Sequence, residues 1–407
     1  MIDITEESHT LILGDCLEVL RTLESDSLDS LVTDPPAGIS FMGKGWDSDK
    51  GGRDQWIAWM TEVMGECLRV LKPGAHGLVW ALPRTSHWTA TALENAGFEV
   101  RDVVTHLFGT GFPKSLDISK AIDKAAGAER EVIGKGQAGK SSIGQVTRVG
   151  LGARPTIRDG SDFNVTAPAT DSAKQWQGWG TALKPASEHW ILVRKPCSEK
   201  TVAANVLKHG TGGINIDGCR IDSKPRTTHA IGNIQGTSPQ PMSWGEGTRH
   251  AVQGAEGRFP ANLVLDEEAA AMLDEQSGNC ASKSGRPGRG VSNVDAVTGF
   301  DARKPVGREY GDSGGASRFF YVAKASKSDR GEANTHPTVK STKLMEYLIK
   351  LVTPPGGTIL DPFMGSGSTG VVTLNTDYRF IGIEKDNEYF KFANRRLKEN
   401  SISERAS

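Results

Sequence analysis

The chain has 407 residues, with 48 lysines and arginines against 49 aspartates and glutamates, for a formal net charge of −1. An apolar fraction of 37% together with 48 glycines is ordinary for a globular protein and excludes a wholly disordered chain. No apolar run approaches the ~20 residues of a membrane-spanning helix, and Met1–Thr10 lacks the pattern of a secretion signal. Five scattered cysteines with no Cys-x-x-Cys pair argue for a reducing cytoplasm over a disulfide scaffold or zinc cluster. The nine histidines show no metal-ligand spacing, so no metal is expected. Taken alone, the charge balance argues against a nucleic-acid partner.

In chain order, Thr10–Leu13 reads as a strand, Gly14-Asp15 as a turn, and Cys16–Leu23 as a helix with Leu17, Val19 and Leu20 near one face. Leu28–Thr33 is a second strand, ended by the breaker Asp34-Pro35-Pro36. The spacing of Trp59, Val63, Cys67 and Val70 predicts a helix over Trp56–Leu71, stopped by Lys72-Pro73-Gly74 before a strand at Gly77–Ala81. Trp190–Val193 is a further strand. After Phe319–Val322 come a helix (Thr342–Val352), a strand (Thr358–Leu360), a loop (Asp361–Gly370) running into a helix, a strand (Phe380–Ile383) and a closing helix (Tyr389–Lys398). This alternation predicts an α/β fold whose mostly parallel sheet has helices on both faces.

Two stretches break the pattern. Glu129–Gln175 is rich in Gly, Ser, Thr and Pro, and its Arg130–Arg158 portion holds six basic residues against Glu131 alone. Thr201–Ser317 is also turn-rich, and Ser277–Arg318 has seven basic residues against four acidic ones. The expected organisation is one half-domain over 1–200 with a basic insertion at about 129–175, an irregular region over 201–317, and a second half-domain over 318–407.

The most informative run is Thr358-Ile359-Leu360-Asp361-Pro362-Phe363-Met364-Gly365-Ser366-Gly367-Ser368-Thr369-Gly370. A strand enters a Gly-x-Gly turn and then a helix, where glycines permit positive φ and close approach of a ligand to bare backbone. Glu384, at the end of the next strand, is placed to accept hydrogen bonds from ribose hydroxyls. A phosphate loop needs a Gly-Lys-Ser/Thr sequence, and Gly367-Ser368-Thr369 has no lysine. A plain turn also satisfies Gly-x-Gly alone. With the Asp-Pro-Phe before it and the glutamate after it, a nucleoside cofactor is the better reading.

Asp361-Pro362-Phe363-x-Gly365-x-Gly367-x-Thr369 resembles the S-adenosylmethionine loop of DNA amino-methyltransferases. Asn334–Lys340 is similar to the segment preceding that loop, Thr33-Asp34-Pro35-Pro36 to the family's catalytic Asp-Pro-Pro-Tyr, and Gly14-Asp15-Cys16 to a third cofactor-contacting turn. The order, catalytic motif first and cofactor loop last, resembles that of the β group, a circularly permuted class I methyltransferase with a Rossmann-like sheet and an inserted target-recognition region. The resemblance covers about 2–200 and 318–397. It implies a cofactor site of Asp15, Cys16, His336, Thr338, Lys340, Asp361, Phe363, Gly365, Ser366, Gly367, Ser368, Thr369, Glu384 and Lys385. Within it, Asp15 would lie near the adenine amino group, and His336, Thr338 and Lys340 near the methionine end.

The catalytic motif makes chemical sense. An exocyclic base amine is a poor nucleophile because its lone pair is delocalised into the ring. Asp34 and the backbone carbonyl after Pro35 can both accept its protons, and Pro35 and Pro36 stiffen the loop that aims that carbonyl. Catalysis then comes mainly from positioning and electrostatics, with no covalent enzyme intermediate. One position departs from the family. The fourth residue is normally an aromatic that stacks on the extruded base, and here it is Ala37. Phe41 and Trp46, in the same loop, are the candidates to replace it, with simple packing under the loop as the alternative. Cytosine carbon-5 chemistry needs a nucleophilic cysteine in Pro-Cys-Gln, and Pro196-Cys197-Ser198 lacks the glutamine.

The resemblance implies double-stranded DNA as the partner, because a base inside a duplex must be flipped out to react. Lys283, Arg286, Arg289, Arg303, Lys304 and Arg308, in the expected recognition region, are the candidate phosphate contacts. The near-neutral total charge thus averages basic loops and an acidic site. The expected activity is methyl transfer to adenine N6, Asp34 in place of serine favouring adenine, with cytosine N4 as the alternative. RNA or protein-glutamine methylation would carry Asn-Pro-Pro, and a silent DNA-binding relative finds its support in Ala37. The resemblance further implies a cytoplasmic, bacterial or phage-encoded protein and leaves open a homodimer and a restriction endonuclease partner.

Overall fold

The computed structural model describes residues 2–6, 8–40, 45–109, 111, 115–137, 162–221, 257–281, 313–323, 340–374 and 376–404. Two compact units emerge, one of residues 1–109 and 187–407, the other of 110–186.

The first unit is built on a ten-stranded sheet. Its strands are β1 (Ile2–Glu6), β2 (His9–Leu13), β3 (Leu28–Thr33), β4 (Leu71–Ala81), β5 (Glu99–Leu107), β6 (Ser187–Arg194), β7 (Leu263–Asp266), β8 (Tyr321–Ala323), β9 (Thr358–Asp361) and β10 (Arg379–Glu384). They lie in the order β1-β2-β10-β9-β3-β4-β6-β5-β7-β8. From β2 to β4 neighbours are parallel, whereas β6 runs antiparallel to both β4 and β5. The expected α/β, Rossmann-like sheet is therefore present. From β9 the chain steps outward to β10, and from β3 it steps the opposite way to β4. The β9–β3 boundary is thus the switch point where open α/β sheets bind ligands, beyond the carboxyl ends of the strands.

Strand alternation sorts side chains onto two faces. Val32, Leu78, Val104, Trp190, Leu192, Ile359 and Phe380 point to one core. Helices α4 (Thr342–Val352) and α6 (Asn387–Glu404) cover it, through Leu344, Leu348, Phe390 and Leu397 among others. Leu31, Val79, Ile191, Val193 and Leu360 point the other way, under α1 (Cys16–Leu20), α2 (Arg53–Val70) and α3 (Ser86–Asn95). A short helix α5 (Ser368–Thr373) follows the glycine loop.

Several elements differ from the sequence expectation. The first helix stops at Leu20, not Leu23, and the closing helix extends to Glu404. β4 starts at Leu71, so Lys72-Pro73-Gly74 lies inside a strand and not in a turn before it. Proline is tolerated there because the β3–β4 register shifts at this point, and Pro73's carbonyl accepts bonds from Asn205 and Thr211 outside the ladder. Within the irregular stretch 201–317, Leu263–Asp266 joins the large sheet, parallel to β5 and β8.

The second unit, 110–186, spans the residues 129–175 that the sequence reads as an insertion. Its described residues form a helix (Ile118–Ala125), a hairpin of Val132–Gln137 with Asp162–Thr166, and a short helix (Asp171–Gln175). Asp123 is buried at their junction, where it accepts bonds from Thr170, Ala169 and Arg130. No helix among the described residues is long and apolar enough to cross a membrane.

Candidate active site

The glycine loop after β9 is held from three sides. Asp361 is buried, and its Oδ1 accepts from Thr33 Oγ1 (2.8 Å) and the Phe363 amide (3.2 Å), while Oδ2 accepts from Thr369 Oγ1 (2.6 Å). Burial lifts its pKa to about 6 against those hydrogen bonds. Glu384 closes the loop from the next strand, accepting the Gly365 amide on Oε2 (2.8 Å) and the Asp386 amide on Oε1 (2.7 Å). From α6, the buried Arg396 donates to the Ser366 carbonyl (3.2 Å) and the Ser368 hydroxyl (3.0 Å). Gly365 and Gly367 both have positive φ, +54° and +76°. At Gly367 a Cβ would also stand 2.9 Å from Leu397 Cδ1, so packing and backbone conformation both require glycine.

Asp15 caps α1 by accepting the Leu17 amide and is paired with Lys385 at 3.0 Å. Burial works against the Asp15 carboxylate, but Lys385 and the backbone amides outweigh it and hold the pKa below the usual value. Cys16 is buried beside it, and burial pushes its thiol up to about 12, so it is a packed thiol and not a nucleophile. Phe363 is half-buried, edge-on to Trp59.

The Asp-Pro-Pro segment leaves β3 directly beside this loop. Asp47 stabilises the turn that follows: its carboxylate accepts the Gly38 amide (2.9 Å) and its carbonyl accepts the Ser40 amide (2.6 Å). Gly38 has φ +69°, and a Cβ there would meet the Trp56 indole at 2.6 Å.

Asp34 is the first residue after β3, one beyond the pair Thr33↔Val79. The register Val32↔Leu78 sets it beside Trp80, and the registers Trp80↔Trp190 and His106↔Glu188 put Glu188 and His106 on the Trp80 face at the same sheet end. Lys340, just before α4, drops into this group. Its Nζ lies 3.2 Å from Asp34 Oδ2, 3.5 Å from Glu188 Oε2 and 4.0 Å from the Trp80 ring centroid. His106 Nδ1 is 3.9 Å from the same Glu188 oxygen. Burial raises the Asp34 pKa to about 6, with Glu188 and Asp47 pushing the same way and Lys340 opposing. Burial also works against the Glu188 carboxylate, but Lys340, His106 and Trp80 together draw its pKa down to about 2. Lys340 stays charged: burial disfavours its cation, yet Asp34 and Glu188 hold its pKa above the usual value.

The structure therefore brings Asp34, Pro35, Pro36 and Lys340 to one end of the sheet, next to the loop of Asp361, Phe363, Gly365, Ser366, Gly367, Ser368 and Thr369. Trp46 lies in a 3-10 turn (Gly45–Asp47) next to Asp47. Phe41, His336, Thr338, Lys283, Arg286, Arg289, Arg303, Lys304 and Arg308 lie outside the described residues. Cys197 follows β6 at the strand end opposite Glu188. Sequence reading missed Trp80, His106, Glu188 and Arg396. The alternation of β4, β5 and β6 was the available signal for the first three.

Residues 267–395 match the family model described as DNA methylase. The matched stretch is 129 of the 407 residues. It contains the glycine loop, Lys340 and Glu384. Curated relatives agree: a type II methyltransferase, M2.DpnII of Streptococcus pneumoniae, is 51% identical over 65 residues, 16% of this chain and 24% of the relative. The type II methyltransferase M.BglI of Bacillus subtilis is 37% identical over 101 residues, 25% of this chain and 28% of the relative. The DNA adenine methyltransferase YhdJ of Escherichia coli (strain K12) is 44% identical over 66 residues, 16% of this chain and 22% of the relative. The chain thus matches about a quarter of the length of these methylases.

Proposed function

We propose that this chain is an S-adenosylmethionine-dependent DNA amino-methyltransferase that methylates adenine N6 in a specific site of double-stranded DNA. The observation that carries the reading is the adjacency at the switch point. Asp34, its pKa raised to about 6, directly follows the strand next to the one leading into the glycine loop of the stretch that matches the DNA methylase model. The named adenine methyltransferase among the relatives supports adenine over cytosine.

The residues present fit the cofactor. Gly365 and Gly367 leave bare backbone at positive φ, and each Glu384 oxygen keeps a lone pair beyond its amide bond for ribose hydroxyls. Asp15 would take the adenine end, with Phe363 against the cofactor. When bound, S-adenosylmethionine supplies an electrophilic methyl group. Asp34 accepts a hydrogen bond from the base amine, which localises the amine lone pair, and then takes up the proton the amine loses. The prolines hold the neighbouring carbonyl as the second acceptor. Lys283, Arg286, Arg289, Arg303, Lys304 and Arg308 are the proposed phosphate contacts.

The test is nucleoside mass spectrometry of plasmid DNA grown with this chain in a methylation-free host. N6-methyladenine is the expected product. N4-methylcytosine would reassign the target base, and unmodified DNA would reject the enzymatic reading.

A further inference from the structure

The family's base-stacking aromatic is missing at Ala37, and the structure holds another aromatic in the right place. Trp80 is half-buried and, like Asp34, comes one residue after the Thr33↔Val79 pair of β3 and β4, with the Lys340 ammonium touching both. One face of its indole is covered by the Lys340 ammonium at 4.0 Å, and that ammonium donates to Asp34 Oδ2 at 3.2 Å. A single group therefore meets two conditions at once: it lies against a π-face and it presents N–H to the Asp34 carboxylate. An amine-bearing base must meet the same two, with its ring on an aromatic surface and its exocyclic N–H on Asp34.

We infer that Trp80 is the stacking surface for the target base, and that Lys340 holds the place until the base enters. This rests on the amino-methyltransferase reading above. Lys340 has a second anchor ready, since Glu188 Oε2 is already 3.5 Å away and is itself flanked by His106. On base entry Lys340 gives up the Trp80 face and Asp34 and stays on Glu188. The cation is therefore never left unpaired in a mostly buried position, which would be costly. The occupant is a planar, electron-poor heterocycle with an exocyclic amine.

The test compares Trp80→Leu, which removes the ring, with Trp80→Phe and Trp80→Tyr, which keep it. Steady-state methyl transfer to unmethylated plasmid DNA is measured beside calorimetric binding of S-adenosylmethionine and thermal melting. Stacking worth ~1–3 kcal/mol predicts a loss of roughly 5- to 150-fold in kcat/KM for DNA in Trp80→Leu. Trp80→Phe and Trp80→Tyr should lose only a few-fold, and cofactor affinity should not change in any variant. Wild-type kcat/KM in Trp80→Leu overturns the inference. So does an equal loss in folded Trp80→Leu and Trp80→Phe, which would mark Trp80 as packing only. Should Trp80→Leu fail to fold, the aromatic variants decide: transfer retained supports stacking, and a loss above roughly tenfold in a folded Trp80→Phe rejects it. A wild-type chain that transfers no methyl group to DNA overturns the amino-methyltransferase reading, and this inference with it.

Discussion

The hydroxyl of Thr33 donates to Oδ1 of Asp361 over 2.8 Å, joining the last residue of β3 to the last residue of β9. The bond crosses the switch point and ties the strand that presents Asp34 to the strand that starts the glycine loop. Both residues are buried, so the carboxylate has no water to turn to. Thr33→Val keeps the shape and removes this donor. The expected cost is about 1.5–3 kcal/mol, the range for hydrogen bonds to charged groups. Denaturant unfolding should show it as a lower midpoint at unchanged slope, accompanied by weaker S-adenosylmethionine binding.

Asp34 is expected to set the pH dependence of the proposed methyl transfer. Its carboxyl is drawn up to about 6 by burial, and it can take up the amine's proton only when ionised. Turnover should therefore fall as pH drops through about 6, with kcat/KM reporting the free enzyme. Lys340 opposes the upward shift, so Lys340→Met should move this acid limb to higher pH. Asp361 also titrates near 6, but it is held by Thr33, Thr369 and Phe363. A limb that moves on loss of Lys340 belongs to Asp34, and one that stays put belongs to Asp361.

At Gly367, φ is +76° and a Cβ would stand 2.9 Å from Leu397 and 3.1 Å from Ala393. Gly367→Ala combines a left-handed backbone penalty of about 1–2 kcal/mol with that contact. The loop must shift off α6, so the variant should melt earlier and bind S-adenosylmethionine at least tenfold more weakly by calorimetry.

Arg396 reaches from α6 to the Ser366 carbonyl and the Ser368 hydroxyl, under the turn where the cofactor is proposed to lie. Arg396→Met leaves both acceptors unsatisfied in a buried setting. A rise of roughly 10- to 100-fold in the cofactor dissociation constant is expected, at about 1.4 kcal/mol per tenfold. DNA binding without cofactor, followed by fluorescence anisotropy, should be unaffected.

How much the chain declares about itself depends on whether the signal is local. The strand Leu28–Thr33, the helix Thr342–Val352 and the Gly-x-Gly turn were legible because hydrophobic period, proline breakers and positive-φ glycines act within a few residues. Asp34 and the loop from Asp361 to Thr369 were recognisable for the same reason, each being a short contiguous motif. The tertiary structure alone decided what stands around Asp34. Trp80, His106 and Glu188 lie on three strands far apart in sequence, and only the registers of β4, β5 and β6 set them at one sheet end. By its neighbours in sequence Lys340 resembles part of a cofactor motif, yet it folds onto Asp34, where two carboxylates and an indole face surround a largely buried cation. The opening charge balance follows the same logic. A net charge of −1 is a property of composition, whereas the electrostatic setting of Asp34 comes from one lysine held between two particular carboxylates.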